Sequence, residues 1–266
     1  MNAVSLSPQD LVIAASLIIL DAGLSLWLAL RLHRQIIAAA GRMVVQLIAV
    51  GYLLRIVFKL DSPAATLAVV IVMVLIAGRE VAARPEQRFR DLSNLALGAG
   101  SVALATFVTA ILALTTAIRP HPWFDPRYAI PIAGIILGNV LNAASLTLDS
   151  LLSGAVRERS SIEARLCCGA SYWQAVSGLL RTAIRRGLLP IINQMSAAGV
   201  VTLPGIMTGQ ILAGMDPLEA VKYQILLMFL LSGGSGLAAV AIAYLTAWRL
   251  TDDRQRLRLD RLRPAK

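Results

Sequence analysis

"VTLPGIMTGQILAGMDPLEA", residues 201–220, holds the two features that decide the fold. Its second part, Asp216-Pro217-Leu218-Glu219, reads as a helix start. An Asp cap is followed by proline at the first helical position, with Glu three residues after the cap as in a capping box. A long apolar run follows. The first part is apolar too, yet it is broken. Pro204 lacks a backbone donor, and Gly205 and Gly209 loosen the chain around it. Freed backbone groups at membrane depth persist only where protein or water satisfies them. The stretch therefore predicts an interrupted membrane helix followed by an intact one.

The cap-proline signal recurs outward from this point. Ser7-Pro8, Ser62-Pro63 and Asp125-Pro126 each precede an apolar run. Seven apolar spans result, at roughly 8–30, 36–58, 63–78, 93–118, 127–152, 188–212 and 217–248. Most approach or exceed the roughly 20 residues that cross a bilayer. The third is short and the sixth interrupted. Composition agrees: 57% of the 266 residues are hydrophobic and 15% are charged, against about 25% charged in soluble domains. The expected fold is all-α, a polytopic membrane protein in one domain spanning 1–266.

Charge sets the orientation. Nineteen of the 25 basic residues fall on one side of this topology and five on the other, with Arg42 just inside span 2. By the positive-inside rule the richer side is cytoplasmic. The N-terminus is then outside and the basic tail, about 249–266, inside. All four cap-proline sites fall on the outer side. The net charge of +10 is thus a topology signal and an attraction to anionic membrane lipid; nucleic acid is not an expected partner. The first ten residues carry no Lys or Arg, so the basic start of a cleaved signal is missing and the first span reads as a retained helix.

Polar groups at membrane depth usually face a partner or a cavity. Asp21 lies mid-span 1, and Arg42 and Gln46 share a face of span 2. Asn139, Asn142 and Asp149 share one face of span 5; Asp149 is placed to pair with Arg42. Asn193, Gln194 and Ser196 precede the break in span 6. Interhelical hydrogen bonding accounts for any one of these; together they outline a transport path. Broken helices often line such paths. Pro204, Met207, Thr208 and Gln210 belong to this one. The thioethers of Met195 and Met207 suit soft metals, and equally fill packing gaps.

Residues 153–187 form the largest loop on the basic side. Ile162, Leu166, Trp173 and Val176 recur at helical intervals around the turn Gly169-Ala170-Ser171. Two short amphipathic helices are expected. They would lie on the bilayer surface or dock a cytoplasmic partner. Within "EARLCCGA", Glu163, Ala164, Gly169 and Ala170 resemble the E-A-A-x-x-x-G coupling loop of ABC-transporter permeases, with Arg165 in place of the second Ala. Cys167 and Cys168 are adjacent, lack zinc-site spacing and form no disulfide framework.

Longer stretches name a family. "GRMVVQLIAVGYLLRIVF" (41–58), "IPIAGIILGNVLNAASLTLDSLL" (130–152) and "GVVTLPGIMTGQILAGMDPLEAVKYQI" (199–225) resemble the FetB-type permeases, also called YbbM. The resemblance covers nearly the whole chain. It implies the membrane subunit of an ABC transporter in a bacterial inner membrane, linked to iron export and metal homeostasis. Plant relatives are associated with aluminium tolerance, so it does not fix one substrate. It also implies a permease homodimer and a separate cytoplasmic ABC ATPase subunit that binds ATP and Mg. This chain would then bind no cofactor and would not itself be an enzyme. Independently, it lacks the G-x-x-x-x-G-K-[ST] phosphate loop. Its histidines, His33 and His121, are far apart and make no metal cluster. The alternative is an ion-gradient-driven carrier or channel without an ATPase, with Asp21 and Asp149 carrying protons. A membrane enzyme lacks a nucleophile–base pair.

Overall fold

The structure, a computed structural model, describes residues 8–30, 32–60, 62–91, 93–118 and 125–264. The Ser7 cap, Arg31, Arg119, His121 and Lys266 lie outside them. The protein is all-α; among the described residues one two-stranded ribbon accompanies the helices. The helices are α1 (Pro8–Trp27), α2 (His33–Leu60), α3 (Pro63–Ala83), α4 (Ser93–Leu112, continuing into a π-helical turn Ala113–Ile118), α5 (Pro126–Arg157), α6 (Arg159–Cys167), α7 (Tyr172–Ala197), α8 (Gly205–Leu212) and α9 (Pro217–Arg249). Strand β1 (Gln87–Phe89) pairs antiparallel with β2 (Leu262–Pro264).

Helix starts follow the cap-proline reading. α1, α3, α5 and α9 begin at Pro8, Pro63, Pro126 and Pro217. Asp125 accepts the Arg127 N–H at 2.9 Å. Asp216 accepts those of Leu218 and Glu219 at 3.0 and 3.3 Å. This second cap is one-sided: the Glu219 carboxylate is paired with Lys222 at 2.6 Å, so the expected capping box does not form.

Six helices among the described residues are long and apolar enough to cross a membrane, not seven. Most of their exposed residues are large and apolar. Val12, Ile19, Val45, Leu47, Leu104 and Phe229, for example, are exposed. Lipid, not water, suits such a surface. The sixth expected span, 188–212, is the one that differs. It is divided between the second half of α7, which ends at Ala197, and α8 beyond the break.

The chain forms two compact units, 1–62 and 63–266. In the first, α1 packs on α2, and the buried Ser25 hydroxyl accepts the Leu32 N–H at 2.9 Å. In the second, α5 is the central helix, packed by α3, α4, α7 and α9. Small residues make these approaches close, as membrane helices require. At Gly187 of α7, an added Cβ would lie 1.9 Å from the Thr147 hydroxyl and 2.8 Å from the Ala143 carbonyl.

The basic end of this unit is tied together. Arg249, the last residue of α9, donates to Asp91 at 2.6 Å and to the Ser93 hydroxyl at 3.0 Å. The basic tail folds back on this end. Its β2 strand closes onto the α3–α4 connection, and Arg90 donates its N–H to the Arg261 carbonyl at 2.8 Å.

Candidate functional site

Two places along α7 gather the residues singled out above. The first is its N-terminal turn. The expected second short helix is not a separate element: it is the first half of α7, which runs unbroken to Ala197. α6 ends in a Schellman turn. The Gly169 N–H bonds to the Leu166 carbonyl at 3.0 Å, and the Ala170 N–H bonds to the Arg165 carbonyl at 3.1 Å. Gly169 sits at φ +87°, a left-handed conformation that glycine takes at no steric cost. Nothing lies within 4 Å of the place its Cβ would take. The glycine therefore serves the backbone, not packing. Glu163 is paired with Arg159 at 2.8 Å along the helix, and Ala164 is exposed. Cys167 and Cys168 are free and exposed.

Ser171 and Gln174 then form a full capping box at the start of α7, a signal the sequence reading passed over. The next residue anchors the turn. Tyr172 is buried; its hydroxyl donates to the Ala247 carbonyl at 2.8 Å, and its N–H donates to Gln255 of the tail at 2.9 Å. Burial pushes the phenol above its ordinary pKa, so it remains a hydrogen-bond donor throughout the physiological range. Trp173 stacks on Tyr244 of α9 at 5.9 Å. Ile162 and Val176 are buried beneath the turn.

The second place is the other end of α7. Ala198 is extended, Gly199 is left-handed at φ +83°, and Pro204 is the N-cap of α8. The break lies at 198–204, centred ahead of Pro204. A short bridge, Ala198 to Thr202, satisfies part of it: the Gly199 N–H bonds to the Thr202 carbonyl at 2.9 Å. The Thr208 hydroxyl donates to the Pro204 carbonyl at 3.2 Å. Beside the break lies a cavity of about 580 Å³. Met195 of α7, Met207 of α8 and Met228 of α9 all line it, with Gln224, Leu203 and Pro204. Gln224 and Met228 were not singled out from the sequence. Their four-residue spacing on α9 was the available signal, hidden within an otherwise apolar helix.

The remaining residues expected on the path divide between the two units. Asn142 accepts from Arg84 at 3.2 Å, and Asp149 accepts the Glu86 N–H at 3.0 Å. Both thus brace the α3–α4 connection. Asn139 donates to the Ile135 carbonyl of its own helix at 3.2 Å. Asn193 and Gln194 are exposed near the end of α7. Gln210 is half-buried, and its carbonyl oxygen is buried without a hydrogen-bond partner. Asp21 and Gln46 are exposed on α1 and α2 of the first unit. No cluster of three or more His, Cys, Asp or Glu side chains suited to a metal occurs among the described residues.

An all-α bundle with apolar outer faces and an interrupted helix beside a cavity defines a polytopic integral membrane protein. The comparisons give its family. Residues 8–250 match the family described as "Uncharacterised protein family (UPF0014)", and the chain belongs to it. It is 42% identical to the UPF0014 membrane protein slr1647 of Synechocystis over 81% of this chain and 83% of that one. It is 32% identical to the "Probable iron export permease protein FetB" of Escherichia coli over 99% of both chains. Protein ALUMINUM SENSITIVE 3 of Arabidopsis thaliana is 29% identical over 81% of this chain and 77% of its own. No solved structure matches.

Proposed function

We propose that this protein is the membrane-spanning permease subunit of an ATP-driven metal exporter of the ABC type, with iron as its cargo. ATP and Mg would bind a separate cytoplasmic ATPase, and two permease chains would form the assembly in a bacterial inner membrane. The basic end would face the cytoplasm. One observation carries the reading: α7 is continuous from the Gly169 turn to the broken segment beside the cavity. A helix of 26 residues is about 39 Å long, enough to carry a displacement from a docked partner into the membrane. The turn is pre-shaped and its surface is open, as a docking element requires. The iron assignment rests on the similarity to the probable iron export permease of Escherichia coli.

The test is a gentle detergent pull-down of the tagged chain from its native membrane, with partners identified by mass spectrometry and the eluate assayed for ATP hydrolysis. A stoichiometric ATPase is expected, lost when Glu163 and Gly169 are both replaced. A clean preparation with no ATPase would overturn the reading in favour of a gradient-driven carrier, with Asp21 and Asp149 the next residues to test.

A further inference from the structure

The cavity beside the break has an unusual donor set. Each of three helices supplies one thioether: Met195, Met207 and Met228. Met228 is buried, and the other two are half-buried. Gln224 lies one helical turn before Met228 and is only 8% exposed. Its carbonyl oxygen is buried with no hydrogen-bond partner. An unsatisfied amide oxygen in such surroundings costs free energy, about 1–3 kcal/mol for a typical buried polar group. A ligand that accepts its lone pair would recover that cost.

None of the lining residues among those described is charged. This matters for the charge of the ligand. The desolvation cost of an ion rises with the square of its charge, and a neutral low-dielectric site offers no countercharge to offset it. A hard divalent or trivalent cation is therefore a poor fit. A soft monovalent cation is a good one, since thioether sulfur selects Cu(I) and its like. The flexible methionine side chain can also adjust its sulfur to the ion.

We propose that the Met195–Met207–Met228 cavity is a binding site for a soft monovalent cation of the Cu(I)/Ag(I) class, with the Gln224 carbonyl as an oxygen donor. The proposal concerns this cavity alone and is independent of the iron assignment, since iron matches this donor set less well. Binding to the cavity needs neither nucleotide nor ATPase.

The experiment titrates Ag(I), a redox-stable probe, into the purified full-length permease by calorimetry. The exposed Cys167 and Cys168 would bind the same ion, so both are replaced by serine throughout. One ion per chain is expected, and excess Fe(II) should not displace it. Leucine conserves methionine volume, so Met195→Leu/Met207→Leu/Met228→Leu should fold and bind Ag(I) weaker by on the order of tenfold or more. If the triple variant does not fold, Met207→Leu alone serves, since α8 buries none of its residues. Gln224→Leu should weaken binding without changing stoichiometry. Equal binding by the leucine variants would overturn the proposal and leave the methionines as packing. So would absence of binding, or displacement by equimolar Fe(II). Because no ATPase is present, either result is independent of the pull-down.

Discussion

The hydroxyl of Tyr172 reaches the carbonyl of Ala247, 75 positions along the chain, at 2.8 Å. It joins the start of α7 to the last turn of α9, just beyond the Gly169 turn. Gln255 holds the same residue from the tail. A force applied at the turn is therefore shared by α7, α9 and the tail.

Removing that bond should loosen the turn without unfolding the bundle. Tyr172→Phe keeps the ring and loses one buried hydrogen bond, about 1 kcal/mol. Gln255→Ala removes the second tie. Both should lower the thermal midpoint in detergent modestly, and the double variant should lower ATPase stimulation more than either single one. Hydrogen exchange at residues 172–176 is the direct measurement, with faster exchange expected in both variants.

Gly169 tests backbone conformation separately from packing. Its left-handed φ penalises L residues by roughly 1–2 kcal/mol, least for Asn. Asn, Ala and Val substitutions should therefore weaken partner coupling in that order, although none meets a neighbouring atom. Transport assays on the three variants check the order. Equal loss in all three would point to contact by the partner with the glycine surface itself.

Gly187→Ala should be severe. The new methyl group would overlap the Thr147 hydroxyl at 1.9 Å. Overpacking of this kind costs about 1–3 kcal/mol. Adding Thr147→Ala should restore part of the loss, and only part, because the Ala143 carbonyl stays 2.8 Å from the new Cβ. Thermal unfolding of the single and double variants measures the coupling.

Asp91 makes the basic end sensitive to acid. The Ser93 hydroxyl, then the Arg249 guanidinium, lower its pKa from 3.8 to about 2. A carboxylate with a depressed folded pKa contributes stability above its unfolded value. Here that contribution is present above pH 3.8 and is lost as pH falls through about 2. Both side chains are partly exposed, so the effect should stay below about 1 kcal/mol. Asp91→Asn should lower stability slightly at neutral pH and flatten this acid dependence. Unfolding at a series of pH values checks both.

Local chemistry was the legible part of the fold. An Asp or Ser before Pro marks a helix start by rules that need only four residues, and α1, α3, α5 and α9 begin where those rules put them. The continuity of α7 was harder to see. Arg181, Arg185 and Arg186 sit in its middle and read as loop charges, whereas the structure places them along one unbroken helix. The tail was missed for a different reason. Strand β2 is only three residues long, Leu262–Pro264, and its β1 partner lies more than 170 residues away. Pairing at that distance leaves no local trace. The same holds for the cavity. Met195 and Met207 could be named from the break, while Met228 and Gln224 joined them only through packing of α9 against α7 and α8.

The central claim is that α7 moves as one rod between the turn and the cavity. The most direct test measures distances by double electron–electron resonance in the reconstituted permease–ATPase complex, with and without trapped nucleotide. Spin labels at Gly178→Cys and Ser196→Cys, with Cys167 and Cys168 replaced by serine, report the length of α7. A third site, Leu237→Cys on the exposed face of α9, serves as reference. The account predicts a sharp 178–196 distance near 27 Å, unchanged by nucleotide, while the 196–237 distance shifts. A 178–196 distance that broadens or shortens with nucleotide, as bending at Pro190 would produce, would contradict it.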